Sequence, residues 1–369
     1  MGLIATCRDF ANLTAAKRQF DRRKSSHVLR YLFWECTLGC NLSCRHCGSR
    51  CSPDVPRDAD LPGDEVKRIF REIAEDFDAS KITLAVTGGE PLTRPDLFDV
   101  MADVGRLGFW WGIVTNGVLV TDAVVARMRA TGMKTVAVSI DGDAEAHAAL
   151  RGSVRAYERA MAGLQRLIKR GGFLDCVEVV TVVYSGNVDR LEAMYDRFHG
   201  LGVGRWRLLA IDPIGRMKDP ANQHLLLSGE QLGRLLEFIA ARRQSGPMPI
   251  TYEESGFLGL KYEKRVRDEY FYCPAGIEIA SILHDGAISA CPSLERRLIQ
   301  GDARSERFSE VWEHRFQPFR DRRFTHGNAP CLGCKWWKHC EGGSLHLWDW
   351  DLQKPHGCAY LALKQAGCL

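Results

Sequence analysis

Between residues 29 and 211, short apolar runs alternate with longer stretches whose apolar positions recur at helical spacing. The runs at 29–34, 82–86, 110–114, 135–140, 177–183 and 206–211 are rich in Val, Ile, Leu and Trp and predict six strands. Helices are predicted over 63–76, 95–107, 122–130, 154–170 and 188–200. Strands that read as continuous apolar runs and are separated by helices form parallel sheets covered on both faces. The pattern therefore predicts an α/β fold, a partial (β/α)6 TIM-like barrel with its chemistry at the carboxyl ends of the strands. From Ser228 to Glu269 the chain reads as a helical connection broken at Pro247 and Pro249. After Tyr272 the texture changes to hairpin-like strands with six cysteines up to Cys358, which marks a small cysteine-rich domain. The predicted boundaries are an N-terminal extension at 1–28, a core at 29–225, a helical linker at 226–270 and the cysteine-rich domain at 271–369.

Composition narrows the class. A chain of 369 residues that is 45% hydrophobic can bury a large core and a smaller one. Its net charge of only +4, with both signs spread along the sequence, implies no nucleic-acid partner. The basic stretch 17–24 reads as a solvated segment. No apolar run is long enough to span a bilayer and the N-terminus lacks a secretory pattern, so the expectation is a cytoplasmic protein with no membrane partner. Fourteen cysteines in a reducing compartment point to metal rather than disulfides.

Three of them, Cys40, Cys44 and Cys47, follow the first strand at CxxxCxxC spacing. Thiolates converging from one short loop can hold a four-iron cluster, and three ligands leave one iron open to a small molecule. Zinc is the competing reading, although the C-x2-C zinc spacing is met only once in this loop. After the second strand comes Gly88-Gly89-Glu90-Pro91. Glycines permit close backbone approach, Glu90 offers an anion for an ammonium group, and Pro91 fixes the turn. Asn116 ends the third strand, and Ser139 and Asp141 end the fourth. Such residues either satisfy turns or bind a ligand. Arg151 reads equally as a ligand contact or as a surface ion pair.

The cysteine loop resembles the signature of the radical S-adenosylmethionine (radical SAM) superfamily, with His46 standing where Tyr or Phe is commoner. The resemblance implies a [4Fe-4S] cluster on Cys40, Cys44 and Cys47 with SAM on its open iron, cleaved to a 5'-deoxyadenosyl radical. It likewise assigns Gly88, Gly89, Glu90 and Pro91 to the methionyl end of SAM, and Ser139 and Arg151 to its carboxylate or ribose. Asn116 and Asp141 join them at the cofactor, and Asn187 and Ile214 match ribose and adenine contacts of the family.

Further on, Cys273-x12-Gly286-x4-Cys291, then Cys331-x2-Cys334-x5-Cys340, then Cys358 resemble the SPASM domain, which binds auxiliary iron-sulfur clusters. Ser344 occupies a position where that pattern has cysteine. The resemblance implies a second auxiliary cluster on Cys331, Cys334, Cys340 and Cys358. The first retains Cys273 and Cys291, so it is open to substrate, completed by another residue, or absent. In a shorter, twitch-like arrangement Cys273, Cys291 and the Cys331/Cys334 pair share one cluster. One or two auxiliary [4Fe-4S] clusters are thus expected. Cys7, Cys36, Cys51, Cys176 and Cys368 fall outside both patterns. Cys36 reads as packing beside the loop and Cys176 as a small core residue.

The functional expectation that follows is a radical SAM oxidoreductase that oxidatively modifies or cross-links a ribosomally made peptide. Its partners would be that peptide, a separate leader-binding protein, and an electron donor such as flavodoxin or ferredoxin. Pro292 follows Cys291, where sulfatase maturases carry an aspartate base, which argues against that activity. The alternative is a twitch-type small-molecule dehydrogenase or cofactor-biosynthesis enzyme. An iron-sulfur electron carrier is the non-enzyme reading, but it has no use for the Gly88–Pro91 turn or for polar residues on successive strand ends.

Overall fold

The computed structural model describes the backbone of residues 3–173, 176–253 and 256–369, with side chains from residue 8 onward. Helix α1 spans Leu3–Ser26 and is followed by β1 Tyr31–Glu35, α2 Gly63–Asp76, β2 Thr83–Thr87, α3 Leu97–Arg106, β3 Trp110–Thr115, α4 Asp122–Ala130 and β4 Thr135–Ser139. Next come α5 Ala144–Arg151, α6 Val154–Arg170, β5 Val177–Val183, α7 Leu191–Leu201, β6 Arg205–Ala210, α8 Gly229–Ser245 and β7 Ile250–Tyr252. The C-terminal part contributes β8 Ile279–Ile282, β9 Ala287–Ser289 and β10 Gly301–Asp302, then short helices and turns.

The six predicted strands lie in sequence order and all pair in parallel, as the alternating pattern requires. Most of their apolar side chains are buried, and Trp34 on β1, Trp111 on β3 and Trp206 on β6 have essentially no exposure, whereas Trp110 at the start of β3 faces solvent. Burying each such side chain is worth about 3 kcal/mol or more relative to leaving it in water. Side chains cap several of the helix starts. The Ser153 hydroxyl accepts from the Ala156 N–H at the start of α6, and Ser228 with Gln231 forms a capping box on α8.

Four differences from the sequence reading matter. The sheet has ten strands in the order β10-β9-β8-β1-β2-β3-β4-β5-β6-β7. Within the expected linker, Pro247 and Pro249 end α8 and release a strand, β7, that pairs in parallel with β6. On the other edge β8 pairs in parallel with β1, and β9 turns back on it as the expected hairpin. The cysteine-rich segment thus begins as a continuation of the barrel sheet. Third, α5 was not expected; Asp143 caps its start and Gly152, at φ +90°, stops it just before α6.

The fourth difference is the N-terminal extension, whose basic stretch is not merely solvated. Arg23 binds Glu269 at 3.0 Å, while Lys24 and Lys17 reach Glu341 at 2.7 and 3.3 Å. Phe20 is buried against Tyr272 with ring centroids 4.4 Å apart. Helix α1 therefore straps the start of the chain to the cysteine-rich part. Cys7 lies before the first described side chain, and Cys176 is only half-buried, beside Gly204, rather than in the core.

Candidate active site

The cysteine loop leaves β1 and folds over the carboxyl ends of the neighbouring strands, where backbone hydrogen bonds fix it on three sides. Gly89 N–H donates to Thr37 O at 2.7 Å and Glu90 N–H to Gly39 O at 3.0 Å, which ties it to the turn after β2. Arg45 N–H donates to Leu150 O at 2.9 Å, tying it to α5. Arg216 N–H donates to Cys47 O at 3.1 Å, and its guanidinium donates to the carbonyls of Cys44, Arg50 and Cys51. These contacts explain the glycines. A Cβ on Gly89 would meet Gly39 O at 2.2 Å, and one on Gly215, at φ +53°, would meet Cys47 O at 2.3 Å.

Cys40 and Cys44 are buried and Cys47 is half-buried. Burial pushes the Cys40 thiol up to about 11 and raises Cys44 as well. Cys47 goes the other way, to about 6, because the Cys51 thiol and the Cys51 N–H, at 3.2 Å, both donate to its sulfur against the effect of burial. Donors face the other sulfurs too: Asn116 Nδ2 stands 3.9 Å from Cys40 Sγ and Arg151 Nη1 4.0 Å from Cys44 Sγ. A set of three thiols from one clamped loop, faced by amide and guanidinium donors, fits a cluster that carries negative charge on its sulfurs.

The residues predicted at the strand ends gather around this loop, although several use their polar atoms internally. Glu90 has no exposure; Oε1 accepts from Thr115 Oγ1 at 2.8 Å and Leu92 N–H at 3.2 Å, and Oε2 accepts from Asn116 N–H at 2.7 Å. Burial raises its pKa despite those donors. Asn187 is equally hidden, with Nδ2 donating to Asp141 O and Val182 O and Oδ1 accepting from Tyr184 N–H. Gly88 and Pro91 shape the turn, Ser139 sits half-buried at the end of β4, and Ile214 reaches Gly48 of the loop.

Arg151 is not on the surface. It is 9% exposed, and its Nε donates to Asp141 Oδ2 at 2.5 Å while Asp141 Oδ1 accepts from Val182 N–H at 2.9 Å. Burial opposes both charges, but each partner outweighs it for the other, so Asp141 is held below the usual carboxylate range and Arg151 is raised. Two histidines complete the cluster. His147 Nδ1 accepts from Asp141 N–H at 3.2 Å, and His46 Nε2 lies 4.0 Å from Asp141 Oδ2. Burial lowers both rings to about 4, so both are neutral at pH 7. His147 gave no signal in the sequence, because a histidine on an unexpected helix four residues before Arg151 looks like any solvent-facing polar side chain.

A second group of cysteines lies in the C-terminal part. Cys331, Cys334, Cys340 and Cys358 line one cavity together with Trp336, Trp337 and Ser344. Burial and the neighbouring thiols push Cys331 up to about 11 and Cys340 to about 12 and raise Cys358. Four sulfurs around one apolar-walled cavity fit a fully ligated cluster, and in binding it they would give up those protons. Cys273 is buried apart from them. Burial would raise it, but Arg322 and the N–H groups of Leu345 and Ala275 hold it below the usual thiol range. Cys291 is half-buried just after β9.

An open cavity of about 510 Å³ lies beside the cysteine loop. The cysteine loop contributes Leu38, Gly48 and Arg50 to its wall, the turn after β6 contributes Ile214 and Lys218, and the β8–β9 turn contributes His284. Its permanent charges come in opposite pairs: Arg50 with Asp219 at 2.7 Å, Arg296 with Asp285, and Lys218 with Glu295 at 3.6 Å; His346 stands 3.3 Å from Asp212.

Comparison with known proteins agrees with this geometry. The radical SAM superfamily model matches residues 34–198, and the SPASM model, an iron-sulfur cluster-binding domain, matches residues 273–335. The chain is 28% identical to an AdoMet-dependent heme synthase of Methanosarcina barkeri, over 85% of this chain and 90% of that protein. It is also 28% identical to the mycofactocin maturase MftC of Mycolicibacterium smegmatis, over 89% of this chain and 80% of that one. Among solved structures, native anSMEcpe with bound AdoMet superposes with a TM-score of 0.70 at 17% identity, covering 91% of this chain and 95% of that one. SuiB of Streptococcus suis bound to S-adenosylmethionine superposes at 0.68 with 18% identity, covering 86% and 73%. At those identities the superpositions speak for the fold. The loop, the barrel and the C-terminal cysteines together with both family models make this chain a radical SAM enzyme with a SPASM domain.

Proposed function

We propose that the enzyme oxidatively modifies or cross-links a ribosomally made peptide held in the cavity between the cysteine loop and the β8–β9 turn. When bound, the loop cluster and SAM supply a 5'-deoxyadenosyl radical that takes hydrogen from the substrate. The chain's residues then have three tasks. Cys40, Cys44 and Cys47 hold the cluster. Asn116 and Arg151 face the sulfurs of Cys40 and Cys44, and the Asp141–Arg151 pair keeps a fixed cation at the loop. Cys331, Cys334, Cys340 and Cys358 hold an auxiliary cluster suited to accept an electron.

The observation that carries the peptide reading is the charge pairing of the cavity wall. Because each cation there has a carboxylate partner, the wall suits an uncharged stretch of chain better than a substrate bearing several carboxylates. Its openness to solvent lets a chain longer than the cavity pass through. The maturase MftC among the relatives supports the same class. A separate leader-binding protein and a flavodoxin or ferredoxin donor complete the proposal. A second reading, cofactor biosynthesis on a heme-type macrocycle, is favoured by the heme synthase relative, which this chain matches over 90% of its length.

The test is anaerobic reconstitution, a chemical reductant, and the precursor peptide encoded beside the gene. A product two hydrogens lighter, formed with 5'-deoxyadenosine, supports the proposal. Turnover of a carboxylated macrocycle with an unaltered peptide would replace it with the second reading.

A further inference from the structure

The cavity wall contains a buried pair that no iron or SAM contact explains. Glu35 is the last residue of β1 and is 4% exposed; His284, in the β8–β9 turn, is 9% exposed. His284 Nδ1 lies 3.1 Å from Glu35 Oε1. Both residues line the cavity. With Nδ1 bound to the carboxylate, the Nε2 edge of the ring is the one left for a bound molecule. The two side chains meet only because β8 pairs in parallel with β1, so the contact spans the barrel core and the SPASM segment.

We propose that His284, oriented by Glu35, is the proton acceptor of the substrate cavity. The inference rests on the oxidative reading above, and it does not depend on whether the substrate is a peptide or a macrocycle. Once a substrate C–H has given its hydrogen atom to the deoxyadenosyl radical, forming a new double bond or crosslink requires the loss of one further proton and one electron. His284 Nε2 takes the proton from the substrate X–H group whose electron pair forms the new bond. The one-electron oxidant that balances the step would be an oxidised auxiliary [4Fe-4S] cluster held by Cys331, Cys334, Cys340 and Cys358.

The surroundings suit this task. Burial would lower the ring, but the hydrogen bond to Glu35 and the charges of Glu35, Asp285 and Asp60 raise it above its ordinary value. An acid-base group works best when its pKa lies near the working pH. Asp60 comes from the loop ahead of α2, and Asp285 is shared with Arg296. The same cavity is lined by Arg50, beside Asp219, by Lys218, whose partner Glu295 is shared with Arg297, and by His346, beside Asp212.

The test uses cluster-loaded enzyme in two arms. In the first, carbethoxylation of His284 by diethylpyrocarbonate is followed by mass spectrometry across pH in wild type and Glu35→Gln. The inflection should fall by about one pH unit or more in the variant, because a neutral amide cannot hold the imidazolium. An inflection that stays in place overturns the pair. In the second, the precursor peptide deuterated at its reacting carbon is turned over by wild type and His284→Gln. Deuterium should still reach 5'-deoxyadenosine in the variant while product falls about 100-fold, and Glu35→Gln should shift the pH profile of product formation. Product at the wild-type rate in His284→Gln overturns the proposal. No deuterium transfer in wild type means that the peptide reading has failed, and the chemical mapping then decides on the pair.

Discussion

The two groups of cysteines are built in opposite ways. The N-terminal loop is woven into the barrel: its backbone bonds to the turns after β2 and β6 and to α5, and its thiols face Asn116 and Arg151. The C-terminal group sits on a four-residue helix, Trp337–Cys340, a two-residue ribbon, Trp348–Asp349 with Lys354–Pro355, and 3-10 turns whose hydrogen bonds are mostly local. A loop clamped by the barrel keeps its shape whether or not it holds metal. A segment with so little secondary structure and small core draws its order from ligation, as small metal domains do.

The largest expected contrast follows from this. Changing Cys331 and Cys334 to Ala should remove about four irons and open residues 327–358 to protease. Changing Cys40, Cys44 and Cys47 to Ala should also remove about four irons and leave the proteolytic pattern as it was. Equal protection in both variants would erase the distinction. Next in size is the pair behind the loop. Arg151→Met strands the buried Asp141 charge and should cost about 3–5 kcal/mol, seen as a lower denaturant midpoint. A midpoint within error of wild type would show that Asp141 finds another partner.

His147 sharpens the comparison through pH. Its folded pKa, about 4, lies below the unfolded value of about 6.5, so the unfolded chain binds the extra proton between those values. Stability should therefore fall as pH drops from about 6.5 towards 4, by up to roughly 3 kcal/mol, and His147→Gln should flatten that slope. An unchanged slope would assign acid sensitivity elsewhere. The smallest effect belongs to the strap. Lys24→Met removes one of two lysines paired with the buried Glu341, leaving Lys17 at 3.3 Å, and should cost about 1–2 kcal/mol, read as faster proteolysis of α1 with unchanged iron content.

The same contrast separates what was legible in the sequence from what was not. Strand positions and the loop cysteines are local signals, carried by apolar runs and by fixed spacing, and β1 to β6 fall within a residue or two of the predicted positions. Gly89 and Gly215 were legible as glycines, but their reason is tertiary: each makes room for the carbonyls of the cysteine loop as well as for any ligand. Arg151 could not be separated from a surface ion pair, because its burial depends on α5, a helix too short for periodicity to reveal. Glu35 and His284 are about 250 residues apart, and only the pairing of β8 with β1 brings them together.

That pairing has a consequence in time. During synthesis β1 emerges early, with Leu32 and Trp34 destined for complete burial, and its free edge has no partner until residues 279–282 leave the ribosome. For most of translation the β1 edge next to the cysteine loop is uncovered, and only β8 covers it. Closing it is a late, long-range step of high contact order, so the nascent chain passes through a stage in which an apolar strand edge and three thiols are both reachable from outside.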